Sequence, residues 1–187
     1  MGEFFVGMPD DPVMQLEEAW RKDLIDLYKS GKPATLENTM QGKSTLSKLT
    51  EDYMLLQSTE YNTIELKLLP LVNNTYIICM VETAYAPVAD SRVTFYTTEW
   101  QRVSADGLFT PVAEEWFWNE NHTSLEFLDA KSRLDMYLVK YSLSAEKMVL
   151  IAEYTTPQYL DEEYQKKVKA FLKTEPRVYE WKSGRFE

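Results

Sequence analysis

Cysteine and histidine are almost absent from this chain, which has one of each among its 187 residues. Cys79 lies inside the apolar run YIICMV, so an internal disulfide is impossible and a buried, unreactive thiol is expected. Zinc sites usually draw several ligands from histidine and cysteine. With His122 as the single histidine, the chain lacks such a set, and we predict no metal site.

Glycine is also scarce, and the six glycines do not form a recognisable loop. Neither G-x-G-x-x-G nor G-x-x-x-x-G-K, the loops that bind nucleotide phosphates, occurs in the sequence. The G-x-S-x-G turn that raises a catalytic serine above a sheet is missing too. A histidine-dependent triad would have to use His122. We therefore predict no catalytic residue from a known motif and no cofactor.

Basic residues are in the minority, with 20 against 30 acidic residues and a net charge of −10. The excess is confined to residues 1–160, since residues 161–187 hold 6 acidic and 7 basic residues. Nucleic-acid binding requires a clustered basic face, so nucleic acid is excluded as a partner. No apolar run approaches the roughly 20 residues that cross a bilayer, and no transmembrane segment is expected.

Apolar residues, in contrast, are plentiful. The composition is 44% hydrophobic and 13% aromatic, enough for a core that needs neither metal nor disulfide. At this length a single domain spanning residues 1–187 is expected. A boundary between two halves could lie near residues 105–132.

The first half predicts one helix followed by strands. Residues 11–31 repeat apolar side chains at the helical period, with Asp11 as a cap and Gly31 at the end. Residues 36–42 and 52–58 could be short strands on either side of a turn-rich segment. The phrases TIELKLLPL, TYIICMVETAY and SRVTFYTTEW then predict a three-stranded antiparallel unit, with Asn73 and Asn74 in the first turn.

The second half repeats this order with an inserted helix. The strands LDMYLVKYSL and KMVLIAEYTT are joined by the turn SAE, and RVYEW follows later. Residues 160–173 predict a helix with acidic residues in its first turn and lysines toward its end. The fold class is therefore α+β: a mainly antiparallel sheet in two similar three-stranded units, covered by an N-terminal helix and the helix near 160–173.

The stretch EEWFWNENH, residues 114–122, is the best candidate for a functional surface. If it is extended, Trp116 and Trp118 project together as an apolar platform beside Glu120, suited to a sugar ring or a partner. The alternative is that both tryptophans form the buried face of a strand packed on the sheet or on the N-terminal helix, with Phe117 partly exposed. Glu120 and His122 could share a face, but two ligands do not make a metal site.

Several phrases together resemble a known family: GMPDD, DLIDLYKSG, LTEDYMLLQ, TIELKLLPL, ICMVETAYAPVADSRVTFYTTEW, YTTPQYL and RVYEWKSGRF. They are similar to the family called domain of unknown function 3256, which is largely confined to Bacteroidales. Its members typically begin with an export signal. The resemblance thus implies a protein of the periplasm or cell envelope, with its leader absent from the sequence given, and it supplies no catalytic residues.

These observations favour a non-catalytic, exported envelope protein that binds a protein or glycan partner. A second hypothesis is a glycan-directed hydrolase, because glycoside hydrolysis needs only two correctly separated carboxylates, and sequence cannot reveal their separation. A third is a purely structural or assembly component, which an exposed apolar patch or edge strand would mark.

Overall fold

The computed structural model describes residues 1–119 and 124–187 and contains two antiparallel sheets. The larger sheet packs helices against one face, and its other face shares an apolar core with the smaller sheet. Three layers result, with the larger sheet in the middle. The prediction of an α+β fold with mainly antiparallel sheets is confirmed.

The helices are α1 (Gly2–Val6), α2 (Glu18–Lys29), α3 (Leu125–Ser132) and α4 (Glu162–Lys169). The larger sheet contains β1 (Thr35–Glu37), β2 (Lys43–Leu49), β3 (Tyr53–Thr59), β4 (Asn62–Pro70), β5 (Tyr76–Ala84), β6 (Asp90–Thr97) and β7 (Arg102–Val103). The smaller sheet contains β8 (Val139–Leu143), β9 (Val149–Tyr154), β10 (Arg177–Lys182) and β11 (Arg185–Phe186). Short 3₁₀ turns span Asp11–Val13, Glu114–Phe117 and Thr156–Tyr159.

The larger sheet is a meander, because its seven strands neighbour one another in chain order. Its central pair, β4 and β5, is joined by the turn that the two asparagines predicted. The Asn73 carboxamide oxygen accepts a hydrogen bond from the Thr75 N–H at 3.1 Å, and Asn74 adopts a positive φ of 62°. Such local side-chain bonding and tolerance of positive φ are what suit asparagine to tight turns.

Alternation along β5 sorts its side chains between the two cores. Ile78 and Met80 pack toward the helices, whereas Ile77, Cys79 and Val81 pack toward the smaller sheet. Cys79 is fully buried, and this burial raises the pKa of its thiol. The prediction of a buried thiol in a central strand is therefore confirmed.

The edge strand β8 bonds to side chains of the larger sheet. Alternate N–H groups along β8 would otherwise lack partners, since they point away from β9. The N–H of Val139 donates to the Asp90 carboxylate at 3.2 Å, that of Tyr141 to the Ser91 hydroxyl at 3.0 Å, and that of Leu143 to the Glu65 carboxylate at 2.9 Å. This row of three bonds closes an edge that could otherwise pair with another chain.

Two charged residues of β4 are buried in the joint between the sheets. Glu65 accepts a second hydrogen bond from the Tyr53 hydroxyl at 2.9 Å, and burial raises the pKa of its carboxyl even though both hydrogen bonds oppose the rise. The Lys67 side chain is only 1% exposed, and its ammonium bonds to the Asp52 carboxylate at 2.8 Å and the Ala145 carbonyl at 3.1 Å. Both groups thus avoid the large cost of an unpaired buried charge.

The elements differ from the sequence predictions in several places, and the short helices α1 and α3 were not predicted. The sheets hold seven and four strands, whereas the patterns predicted two three-stranded units and two short strands before the first of them. The predicted turn-rich segment forms β2, an outer strand that needs only Ser44 and Leu46 on its buried face, so its apolar signal is weak. The N-terminal helix starts at Glu18 instead of residue 11, because Asp11 belongs to a separate 3₁₀ turn; it ends before Gly31, as predicted.

Replacing Glu65 by alanine should lower the free energy of unfolding by about 3 kcal/mol, because the Leu143 N–H and the Tyr53 hydroxyl lose their buried acceptor. Glu65→Gln retains an acceptor oxygen and should cost about 1 kcal/mol. Urea unfolding followed by tryptophan fluorescence measures both values, with the exposed Glu60→Ala as control. Unchanged stability of Glu65→Ala would contradict the role of Glu65 as a stabilising acceptor between the two sheets.

The raised pKa of Glu65 also predicts a pH dependence. The folded state binds the Glu65 proton more tightly than the unfolded state, so this group's contribution to stability falls as pH rises from the ordinary glutamate pKa through the raised one. Relative to Glu65→Gln, the wild type should therefore become less stable as pH rises through that window. Denaturant unfolding of both proteins from about pH 4 to pH 8 measures the shift. Parallel profiles would show that Glu65 titrates normally.

Candidate functional site

The first part of the tryptophan-rich stretch 114–122 is not extended. Residues 114–117 form a 3₁₀ turn, and Trp118 follows as an isolated β-bridge to Leu172. The bridge is fixed on both sides, because the Lys173 N–H donates to the Phe117 carbonyl at 2.8 Å and the Asn119 N–H to the Phe171 carbonyl at 2.8 Å. The prediction of an extended segment is therefore wrong for this part of the stretch.

Trp118 lies in a small core formed with α3 and α4. Its side chain is 3% exposed and makes an edge contact with the Phe127 ring at 5.2 Å. The indole N–H donates to the Glu114 carboxylate at 3.3 Å. The alternative prediction of a buried tryptophan holds for Trp118. It packs with Ala130 and Val168 and contacts the ring of Tyr154, a sheet residue of β9, at 6.1 Å, and it does not pack on the N-terminal helix.

Trp116 lies in a different environment and remains partly exposed. The ammonium of Lys173 lies 4.5 Å from its ring centroid, and the guanidinium carbon of Arg177 lies 5.7 Å away. Phe117, predicted to be partly exposed, is buried and stacks on the Tyr154 ring at 5.2 Å. The two tryptophans thus share no platform. Glu120 and His122 lie outside the described residues, and a partner-facing role for Trp116 stays a prediction.

An open groove of about 460 Å³ lies at one end of the larger sheet, formed by residues that the sequence did not mark. Most of its lining residues are polar. Hydroxyl groups come from β3, β4, β5 and β6, and amide groups come from the segment before α2 and from β4. The exposed apolar side chain of Met40 comes from the β1–β2 turn. The hydroxyl and amide residues are Gln15, Ser58, Thr59, Asn62, Thr63, Thr83 and Ser91.

Hydrogen bonds hold several of these side chains in place. The buried Gln15 amide donates to the Ser58 carbonyl at 3.2 Å, which fixes the segment before α2 against β3. The Asn62 amide donates to the Thr59 hydroxyl at 2.8 Å across the β3–β4 turn. Asn62 is exposed, so its remaining hydrogen-bonding capacity faces solvent.

Two carboxylates and one guanidinium complete the lining of the groove. One oxygen of Glu82 accepts hydrogen bonds from Arg92 Nε at 3.1 Å and Nη2 at 2.8 Å. This contact raises the pKa of the Arg92 guanidinium, which therefore stays charged. The Asp90 carboxylate accepts the Val139 N–H and so joins the groove to the bonded edge of β8. The wall of the groove can both donate and accept hydrogen bonds.

The sequence could not reveal this groove because its residues come from five separate segments. Most of these segments offer serines, threonines or an amide near a strand end, a common pattern at any sheet edge. Pairing in register brings them together, as Asn62 lies opposite Ala84, and Ala84 opposite Asp90. Within residues 1–119 and 124–187, no cluster of three potential metal ligands occurs, and no helix is long and apolar enough to span a membrane.

Comparison with known proteins identifies relatives without an assigned activity. The family described as "Protein of unknown function (DUF3256)" matches residues 1–186. A solved domain of an uncharacterized protein from Porphyromonas gingivalis W83 shares 30% sequence identity, with a TM-score of 0.87 over 99% of this chain and 96% of that chain. No curated protein matches this chain. The similarity extends over nearly the whole fold.

The different environments of the two tryptophans predict different costs of removal. Trp118→Ala should lower the free energy of unfolding by about 3 to 4 kcal/mol, because it empties a buried site and leaves the core of α3 and α4 unfilled. Trp116→Ala should cost about 1 kcal/mol, since its ring is partly exposed. Chemical denaturation followed by circular dichroism separates the two. Equal losses would contradict the burial described here.

Proposed function

The chain belongs to the DUF3256 family, as its sequence phrases indicated, and from that premise we propose that it is a non-catalytic binding module of the cell envelope. Its ligand is a saccharide held in the polar groove at the end of the larger sheet. The export part of the proposal follows from the sequence resemblance alone. The binding part follows from the chemistry of the groove.

One observation carries the binding proposal: the groove combines hydroxyl, amide, carboxylate and guanidinium groups around an open space of about 460 Å³. Sugar hydroxyls both donate and accept hydrogen bonds, so they are best matched by side chains that do the same. The volume is within the range of about 300 to 1,000 Å³ usual for small-ligand sites. Met40, exposed beside the groove, offers an apolar contact for the C–H face of a sugar ring.

Removal of groove side chains should weaken saccharide binding without unfolding the protein. A glycan array first identifies a ligand, and isothermal titration calorimetry then compares the wild type with Asn62→Ala and Met40→Ala. Each variant should raise Kd about tenfold, corresponding to the loss of one good contact. Both side chains are exposed, so stability should hardly change.

Two control variants match these changes outside the groove. Val72→Ala shortens another exposed apolar side chain and is the control for Met40→Ala. Arg102→Ala removes an exposed arginine from β7 and is the control for a third groove variant, Arg92→Ala. The controls should bind like the wild type. A glycan that binds equally well to all variants would move the site elsewhere, and an array without any bound glycan would favour a protein partner.

A hydrolase is the second candidate, because Glu82 and Asp90 line the same groove. Carboxylate pairs on either side of a glycosidic bond suffice for hydrolysis. Here Glu82 is held by Arg92 and Asp90 accepts the Val139 N–H, so each already has a partner within the protein. Binding without turnover supports the first candidate. Turnover of a bound glycan that is abolished by Glu82→Gln or Asp90→Asn would replace it with the second.

A further inference from the structure

Three basic residues near the C-terminal end of the chain gather around Trp116 and the neighbouring pocket. Lys173 and Arg177 both lie over the Trp116 ring, and Arg177 also lies over the Tyr179 ring at 5.0 Å. Arg177 then lines a pocket of about 320 Å³ together with Arg185. These contacts belong to a separate site from the polar groove, with which they share no lining residue.

Lys173 and Arg177 contact an aromatic ring, whereas eight other cations of this acidic protein pair with carboxylates. Within the described residues, eight ion pairs occur, and neither Lys173 nor Arg177 belongs to one of them. Both instead lie within about 6 Å of the centroid of one indole ring, whose electron-rich faces attract cations. The two cations thus bring positive charge to one part of a chain whose net charge is −10.

The pocket beside Arg177 has both charge and polar groups suited to an anion. The Arg185 Nε donates at 2.6 Å to the carboxylate of Glu187, which also lines the pocket. This bond leaves the terminal nitrogens of Arg185 for a ligand. Thr110 adds a hydroxyl to the lining, and the rings of Phe109 and Phe186 form buried walls. Guanidinium groups present planar, rigid donors that match phosphate and sulfate oxygens better than an ammonium does.

We propose that Arg177 and Arg185 bind a ligand that carries a phosphate or sulfate group, with Lys173 contributing charge and Trp116 positioning Lys173 and Arg177. A tetrahedral oxyanion accepts several hydrogen bonds at once, so it can satisfy both guanidinium groups within one pocket. The ligand is a small phosphorylated or sulfated molecule, because the pocket volume of about 320 Å³ suits one ring and its anionic group. This inference stands independently of saccharide binding in the groove.

The test is a titration of the whole chain followed by NMR of the arginine Nε–H groups. The probes are inorganic phosphate, inorganic sulfate, glucose 6-phosphate and glucose. We expect saturable shifts of the Arg177 and Arg185 signals with the three anionic probes and none with glucose. The affinity should fall as salt rises, because the attraction between these partly exposed charges is screened.

Three variants and one control assign the site. Arg177→Gln and Arg185→Gln should each raise the Kd for the bound anion about tenfold or more, since each removes a charge-assisted hydrogen bond. Trp116→Leu should weaken binding less, because it removes only the ring that positions the two cations. Lys182→Gln, on the same strand as Arg177 but paired with Glu180, should leave binding unchanged.

Each outcome decides the proposal. Binding of inorganic phosphate or sulfate that is lost in both arginine variants supports it, and tighter binding of glucose 6-phosphate extends the site to the sugar ring. The absence of saturable shifts with all anionic probes would overturn it. Binding by Arg177→Gln and Arg185→Gln with the same Kd as the wild type would overturn it too. Circular dichroism of each variant confirms that a lost signal does not reflect unfolding.

Discussion

The hydrogen bond between the Leu143 N–H and the buried Glu65 carboxylate is the contact on which the two-sheet arrangement depends. It holds the edge of the smaller sheet against a face of the larger one, where Tyr53 and Lys67 complete the polar joint. Apolar contact alone would tolerate sliding of one sheet over the other, because hydrophobic burial is not directional. Directed bonds at Asp90, Ser91 and Glu65 add a defined register to that contact.

This joint also connects the fold to the groove. Asp90 and Ser91 accept N–H groups of β8 and at the same time belong to the lining of the groove. Their positions are therefore set by packing between the sheets as well as by pairing within one of them. A groove built from such residues is rigid on one side, and rigidity of this kind reduces the entropy lost when a ligand binds.

Charge divides the molecule into two surfaces of different chemistry. The groove mixes neutral polar groups with the Glu82–Arg92 ion pair and with Asp90, whose carboxylate accepts the Val139 N–H, and this mixture suits an uncharged polar ligand. The surface around Trp116 carries cations that lack carboxylate partners within the described part of the chain. The two tryptophans of the stretch EEWFWNENH therefore do not form a flat aromatic platform. Trp118 fills a core, whereas Trp116 supports two basic side chains.

Much of the architecture could be predicted from sequence, because alternation of apolar side chains reports which strands are buried. Alternation predicted the strands from β4 to β6 and from β8 to β10, and the apolar run around Cys79 predicted its burial. The two asparagines predicted the turn at residues 73 and 74, and the helical period predicted the helix near residues 160–173. Strand β2 was missed because an outer strand with Ser44 and Leu46 inside has too few apolar residues to be recognised. The start of the N-terminal helix was misplaced because Asp11 and Pro12 suit a 3₁₀ turn as well as a helix.

The sequence by itself determined the fold class, the family and the absence of known catalytic motifs, since these depend on residue types and local periodicity. Tertiary structure alone decided that Trp118 is buried while Trp116 is partly exposed, because a spacing of two residues implies a common face only if the backbone is extended. It also decided which polar side chains meet in the groove and which cations meet at Trp116. Such contacts depend on how segments far apart in the chain pack against one another, and the residue types and local periodicity of each segment do not report that packing.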